Sequence, residues 1–461
     1  MEGKRFDLVV IGSGPSGQKA AIQGAKLGKR VAVVERRRVV GGVCIHTGTI
    51  PSKTLREAVL YLTGFALHGI YGVSYVVKKE IRVEDLTVRV RHVVQRETDV
   101  ILHQMQRNGV EVVYGEASFA DPHEIAVENG QERLALTTDR VIVAVGTEPS
   151  PPTSVQCDDR TVIDSDGILR IRELPRTMTV VGGGVIGLEY ASILSALGIR
   201  ITLLEKRDRL LEFVDQEIVE SLSYQLRQRG VTIRLGEEVG RVVCGDGGAV
   251  AELVSGKKVR SDMILYSVGR TGATAKLNLA AAGLAADPRG RIAVDEHFRT
   301  AVPHIYAVGD VIGFPSLAST AMEQGRLAAA HAFGLPVRPM TSLYPYGIYS
   351  VPEISMVGPT EEELTRRAVP YETGISRYRE IARGQILGDD TGVLKLLFHR
   401  ENRRLLAAHA SGTGVTELIH IAHAAISLGG TLEYFVDSVF NYPTLAECYK
   451  VAALDCANKL G

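Results

Sequence analysis

FDLVVIGSGPSGQKAAIQGAKLGKRVAVVE, residues 6–35, reads as strand, glycine turn, helix and strand. The apolar run that opens it is short and unbroken, as in a strand buried on both faces of a parallel sheet. Gly12, Gly14 and Gly17 form G-x-G-x-x-G, and Glu35 ends the second strand. Each type has a physical reason. The first glycine makes the tight turn, the second lets a pyrophosphate approach the backbone, and the third packs helix on strand, with the helix N-terminus facing the phosphates. The acid accepts hydrogen bonds from the adenosine ribose hydroxyls. Alone the pattern is weak, because a merely tight strand–helix turn carries the same glycines.

The pattern occurs twice. MTVVGGGVIGLEYASILSALGIRITLLE, residues 178–205, repeats it with Gly182, Gly184, Gly187 and Glu205. First glycine and acid are 23 residues apart in both copies (12 to 35, 182 to 205). Both also close alike, in DRVIVAVGT at 139–147 and DMILYSVGR at 262–270. The matched sets point to two dinucleotide sites. Only the first copy carries a long insertion, which begins with GGVCIHTGTIPSK at 41–53 and continues as a helix expected from Pro51. A fixed cofactor with a reactive loop suits the first copy, and a mobile one the second: FAD, then a nicotinamide nucleotide.

Length supports this division, since 461 residues exceed what one core holds and suggest about three domains. The 48 glycines cluster in strand-to-helix connections and favour an α/β protein. With 53 basic and 53 acidic residues the net charge is zero, which makes nucleic acid and acidic membranes poor partners. The N-terminal stretch lacks a signal peptide's apolar core, and no apolar run approaches the roughly 20 residues of a membrane span. Five scattered cysteines have no metal spacing, and Cys448 and Cys456 fall too far apart on one expected helix to bridge. A reducing cytoplasm is the natural compartment.

With AVGT at 144–147, HIYAVGD at 304–310 and FNYPTLAE at 440–447, the two fingerprints resemble the pyridine nucleotide–disulfide oxidoreductases along essentially the whole chain. The resemblance implies two Rossmann-like domains, for FAD (about 1–150 plus 272–340) and NAD(P) (151–271), and a C-terminal α+β dimerisation domain (341–461). It implies that Gly12, Gly14, Gly17, Glu35, Lys53, Gly146, Gly309 and Asp310 hold FAD, with Asp310 on the ribityl chain. Gly182, Gly184, Gly187 and Glu205 hold the nicotinamide nucleotide. Lys53 matches the family lysine beside flavin N5, and Glu189 the glutamate that pairs with it. The C-terminal motif reaches a partner subunit's site, which implies a homodimer or a higher homo-oligomer.

Two departures decide the chemistry. The family's flavin-side cysteine falls at Thr49, leaving Cys44 alone, and its catalytic histidine falls at Tyr442, with the carboxylate retained as Glu447. Disulfide exchange needs a second sulfur and a base, and a tyrosine with a reference pKa of about 10 is a poor base at neutral pH. The reaction left is hydride exchange between NADPH and NAD+ through flavin N5, which needs neither; the resemblance makes it an Si-specific NAD(P)+ transhydrogenation. A quinone or other small acceptor is the alternative substrate, and a nucleotide-sensing or assembly protein the non-enzymatic alternative. Lys206 and Arg207 either attract a 2′-phosphate or form a solvated charged turn. Cys44 and His46 read as packing, Arg36 to Arg38 as a solvated turn or phosphate steering. Glu417, His420 and His423 read as an interface face rather than a metal site.

Overall fold

Val, Ile and Leu crowd the strands Lys4–Ile11 and Val31–Glu35, and alternate residues feed two cores. Leu8, Val10 and Val33 pack with Ala20 and Met105 on one face, while Val9, Ile11, Ala32 and Val34 pack with Phe119 on the other. Burial on both faces explains why these strands read as unbroken apolar runs. A computed structural model describes residues 4–460 other than 131, 151–154, 156, 159 and 246; the domain boundary expected at 151 lies outside the described residues. The chain is an α/β protein whose residues group into two units, 1–54 with 87–150 and 269–341, and 55–86 with 151–268 and 342–461.

In the first unit Lys4–Ile11 pairs in parallel with Val31–Glu35 on one side and Glu132–Val143 on the other. Glu111–Tyr114 extends the first edge, and Ile305–Ala307 adds in parallel to Glu132–Val143. The start of that long strand also carries an antiparallel arm, Glu124–Asn129 and then Glu116–Asp121.

The second unit repeats the order. Thr177–Val181 lies between Arg200–Leu204 and Met263–Tyr266, with Thr232–Arg234 and Val162–Asp164 at the edges. An antiparallel trio, Val239–Gly245, Gly248–Leu253 and Lys258–Ser261, parallels the arm of the first. The fifth parallel strand comes from downstream in the first unit and from upstream in the second.

The same unit carries an antiparallel sheet of order Tyr346–Ile348, Glu353–Val357, Leu405–Gly412, Val393–His399, Tyr371–Arg377. Tyr378, Phe398, Phe435 and Tyr449 build its core beneath the helices Val415–Ser427 and Glu447–Leu460. Cys448 and Cys456 lie on the latter helix as buried free thiols. Lys395, on the strand Val393–His399, is buried with its ammonium on Asp215, Glu217 and Glu361. A buried lysine needs such company. Among the described residues no helix is long and apolar enough to cross a membrane.

The insertion forms a short helix, Gly42–His46, and then Thr49–Thr63. The second helix starts two residues before Pro51, which sits in its first turn, where a missing N–H costs nothing.

Candidate active site

The first glycine turn is held by close backbone contact. Gly12 has φ +106°, and a Cβ there would stand 2.3 Å from the Ala144 carbonyl oxygen. One on Gly17 would stand 1.9 Å from the Gly12 carbonyl oxygen. The helix Pro15–Lys26 therefore begins directly on the turn. A Cβ on Gly14 would meet nothing within 4 Å, so its face is open to a groove. Gly14, Glu35, Cys44, Thr49, Gly146 and Asp310 line that groove, together with Gly309.

Glu35 is buried. One carboxylate oxygen accepts the Ser13 N–H at 3.1 Å and the Ser13 hydroxyl, and the other accepts the Arg37 N–H at 2.9 Å. Ser13 Oγ in turn accepts the Gly41 N–H at 3.0 Å. On the opposite wall, Arg270 Nε donates to Thr147 Oγ1 at 2.9 Å, and Thr147 faces Asp310 at 3.4 Å. Burial pushes the Asp310 carboxyl above the usual range, against the pull of Arg270 and Thr147. Gly309 donates its N–H to Gln324 Oε1 at 2.8 Å, fixing the turn that carries Asp310.

Among the described residues Cys44 is a free thiol. The Thr49 side chain hydrogen-bonds it, but burial pushes its thiol above the ordinary range, and the Asp310 charge adds to that. A thiol held neutral is a poor nucleophile. Lys53, one turn beyond Thr49 and half-buried, has its ammonium 3.3 Å from Ser52 Oγ. His46 Nε2 bonds the Val40 carbonyl at 2.8 Å, a packing role. Arg36 stands 3.7 Å from Glu148 at the groove's rim.

In the second turn Gly182 has φ +103°, and a Cβ on Gly187 would stand 2.0 Å from the Gly182 carbonyl oxygen. Gly184, like Gly14, faces open space. Glu205 is buried; its Oε2 accepts the Gly183 N–H at 2.6 Å, and its Oε1 accepts the Arg207 N–H and Nε, both at 3.0 Å. Arg207 Nη2 adds a bond to Oε2 at 3.4 Å. Lys206 is exposed, with its ammonium 2.8 Å from Glu238. Glu189, buried in the helix Val185–Ala196, accepts the Tyr349 N–H at 2.8 Å.

Tyr442 is 67% exposed. Glu447 opens the helix Glu447–Leu460, and its Oε2 is buried with no hydrogen-bond partner among the described residues. His420 and His423 lie 6.3 Å apart, ring to ring, on the helix Val415–Ser427.

Gly14, Glu35, Gly146, Gly309 and Asp310 thus share one groove, with Gly12 and Gly17 beneath it, while Glu189, Glu205 and the second glycines belong to the other unit. Sequence reading passed over Ser13, Thr147 and Arg270. Aligning the copies offers the signal for each: Ser13 stands where the second has Gly183, and Thr147 and Arg270 follow the two closing glycines.

The sequence matches the pyridine nucleotide-disulphide oxidoreductase family over residues 6–325 and that family's dimerisation domain over 344–453. It is 56% identical to the soluble pyridine nucleotide transhydrogenase of Mycobacterium tuberculosis over 459 residues, 99% of this chain and 98% of that one. Identity to the soluble pyridine nucleotide transhydrogenase of Colwellia psychrerythraea is 43%, with the same coverage. Among solved structures it resembles the HOCl-induced flavoprotein disulfide reductase RclA from Escherichia coli, with a TM-score of 0.88, 26% identity, and 97% and 99% of the two chains covered. The fold, the paired turns and these matches make the chain a member of the pyridine nucleotide-disulphide oxidoreductase family.

Proposed function

We propose that this chain is an FAD-dependent, Si-specific NAD(P)+ transhydrogenase that exchanges hydride between NADPH and NAD+ in a ping-pong course. The observation that carries the reading is at Cys44, where a threonine hydroxyl stands against a thiol that burial keeps neutral. A disulfide reductase needs a second sulfur there. Hydride exchange needs none, because NADPH and NAD+ give NADP+ and NADH with no thiol and no net proton.

The groove fits FAD. Gly14 leaves its backbone clear for a pyrophosphate, Glu35 ends the strand where adenosine ribose hydroxyls lie in such turns, and half-buried Asp310 offers a further acceptor in the groove. FAD, when bound, supplies the centre that takes hydride from one nicotinamide and gives it to the next. In this reading residues 1–150 with 272–340 hold FAD, 151–271 bind NAD(P)(H), and 341–461 dimerise. Gly182, Gly184 and Gly187 present the second turn to the nicotinamide nucleotide, and Glu205 takes its ribose. Lys53 supplies a cation for the negative charge that gathers on a reduced flavin, and Glu189 stands at the position of the family glutamate. Tyr442 and Glu447 occupy the place of the family's acid–base pair, with no proton to shuttle. They would close the site of a second copy in a homodimer, and the unpartnered buried oxygen of Glu447 suits a position completed in that assembly. The compartment is the cytoplasm.

The test is to follow NADPH-driven reduction of thio-NAD+ by the purified flavoprotein, beside quinone and lipoamide controls. Thio-NAD+ is expected to be reduced and lipoamide not. Rapid quinone reduction with an idle thio-NAD+ would replace this reading with that of a quinone reductase.

A further inference from the structure

A carboxylate offers about four lone-pair positions, and all those of Glu205 are taken. Two donors, the N–H groups of Gly183 and Arg207, are backbone and fixed. The other two belong to the Arg207 guanidinium, whose side chain is 47% exposed and also lies 3.5 Å from Glu212. A ribose hydroxyl therefore reaches Glu205 only when the guanidinium leaves.

We propose that Arg207 is the exchangeable partner of Glu205 that lets one site accept both nucleotides. With NAD(H), the ribose hydroxyls replace the guanidinium on Glu205. With NADP(H), the guanidinium turns to the 2′-phosphate and stands between it and the carboxylate. The idea rests on the transhydrogenase reading, which requires both nucleotides. Burial favours a neutral Glu205, but the bonds from Arg207 and Gly183 outweigh it and hold its pKa below the usual carboxylate range. Between a 2′-phosphate and the carboxylate, the guanidinium offers donors to both oxygen sets at once. Lys206 is not needed, since its ammonium is engaged with Glu238.

The test compares 2′,5′-ADP with 5′-AMP, two fragments that differ by the phosphate, titrated calorimetrically into the flavin-loaded protein. In Arg207→Ala the ratio of 2′,5′-ADP to 5′-AMP affinity is expected to fall about tenfold to 100-fold, the span of a charge-assisted hydrogen bond. In Glu205→Gln, which releases the guanidinium and weakens the hold on the ribose hydroxyl, the ratio is expected to rise. A ratio that does not move in Arg207→Ala, or that stays or falls in Glu205→Gln, overturns the exchange. These are binding ratios, so an unshifted ratio rejects the exchange and spares the activity. Absence of thio-NAD+ reduction by the wild type rejects the activity and spares the ratio.

Discussion

Glu35 and Glu205 occupy the same place in two copies of one turn. Each accepts a backbone N–H from the middle of its glycine motif and another from two residues further on. What completes them differs. Glu35 takes the hydroxyl of Ser13, itself tethered by the Gly41 N–H, so its network is internal and buried. Serine has no room in the second copy, where a Cβ on Gly183 would come within 2.4 Å of Leu210 Cδ2 and 3.0 Å of Glu205 Oε2. The half-exposed Arg207 completes that acid instead. A buried network closed by a serine hydroxyl suits a cofactor that stays, and a mobile charged side chain suits a nucleotide that must come and go.

The largest effect should come from the third glycines, where the copies are most alike. An added Cβ at Gly17 or Gly187 meets backbone, which cannot yield as a flexible side chain does; overpacking of this kind costs about 1–3 kcal/mol and shifts the helix start. Gly17→Ala should purify with most of its flavin absorbance lost and should melt earlier. Gly187→Ala should keep its flavin, while reduction by NADPH slows about 100-fold or more in a stopped-flow trace, a cost of about 2.7 kcal/mol. Equal loss of flavin in both would break the assignment of the first turn to FAD and the second to the nicotinamide nucleotide.

Ser13→Gly makes the first copy resemble the second without giving it an arginine clamp. It strands the buried Gly41 N–H and takes one of two donors from Glu35 Oε2, which keeps the backbone N–H of residue 13, and an unsatisfied buried group costs about 1–3 kcal/mol. FAD should bind about tenfold to 100-fold more weakly, measured by fluorescence titration of the apoprotein, with nucleotide preference unmoved. A shift in nucleotide preference would show that the two turns are not independent.

The glycines and both acids were legible in the sequence because steric rules at Gly12, Gly17, Gly182 and Gly187 leave no other residue type. Partners remote along the chain were not. The link from Arg270 through Thr147 to Asp310 joins residues more than 100 positions apart, which no local pattern encodes. Arg207 was legible only as a charge beside Glu205, since a charged turn and a clamp share one sequence. The helix start at Thr49 rather than Pro51 was missed because proline fits any position of a first turn. Glu447 followed from its motif alone, and its unpartnered oxygen only from packing.

The insertion that distinguishes the first copy gives an effect read first as a new spectral band. Thr49→Cys puts a thiol where a hydroxyl now bonds Cys44. The pair should oxidise, and two-electron reduction should bring a thiolate-to-flavin charge-transfer band. Disulfide substrates should still turn over poorly, since a phenol is a poor base at neutral pH, and adding Tyr442→His should raise that turnover by about 10²–10⁴-fold. No band from an oxidisable pair would mean that Thr49 does not stand at the flavin-side position.

Cys44→Ser should have the smallest effect. If hydride never passes through sulfur, the thiol only fills space and accepts a contact from Thr49, and a hydroxyl of nearly the same shape can do both. Turnover should fall by less than about tenfold, or roughly 1.4 kcal/mol of barrier, with flavin still bound. The wild-type thiol gives an independent check. Burial raises its pKa, and the Asp310 charge raises it further against the opposing pull of Thr49 and Lys53. The thiolate is therefore scarce at pH 8, where a free cysteine of pKa about 8.5 is appreciably ionised. Iodoacetamide should label Cys44 more slowly than glutathione at that pH, and the gap should narrow as the pH rises and glutathione becomes fully ionised first. Fast labelling, or a larger loss of turnover in Cys44→Ser, would make the sulfur a participant and bring the insertion back into the chemistry.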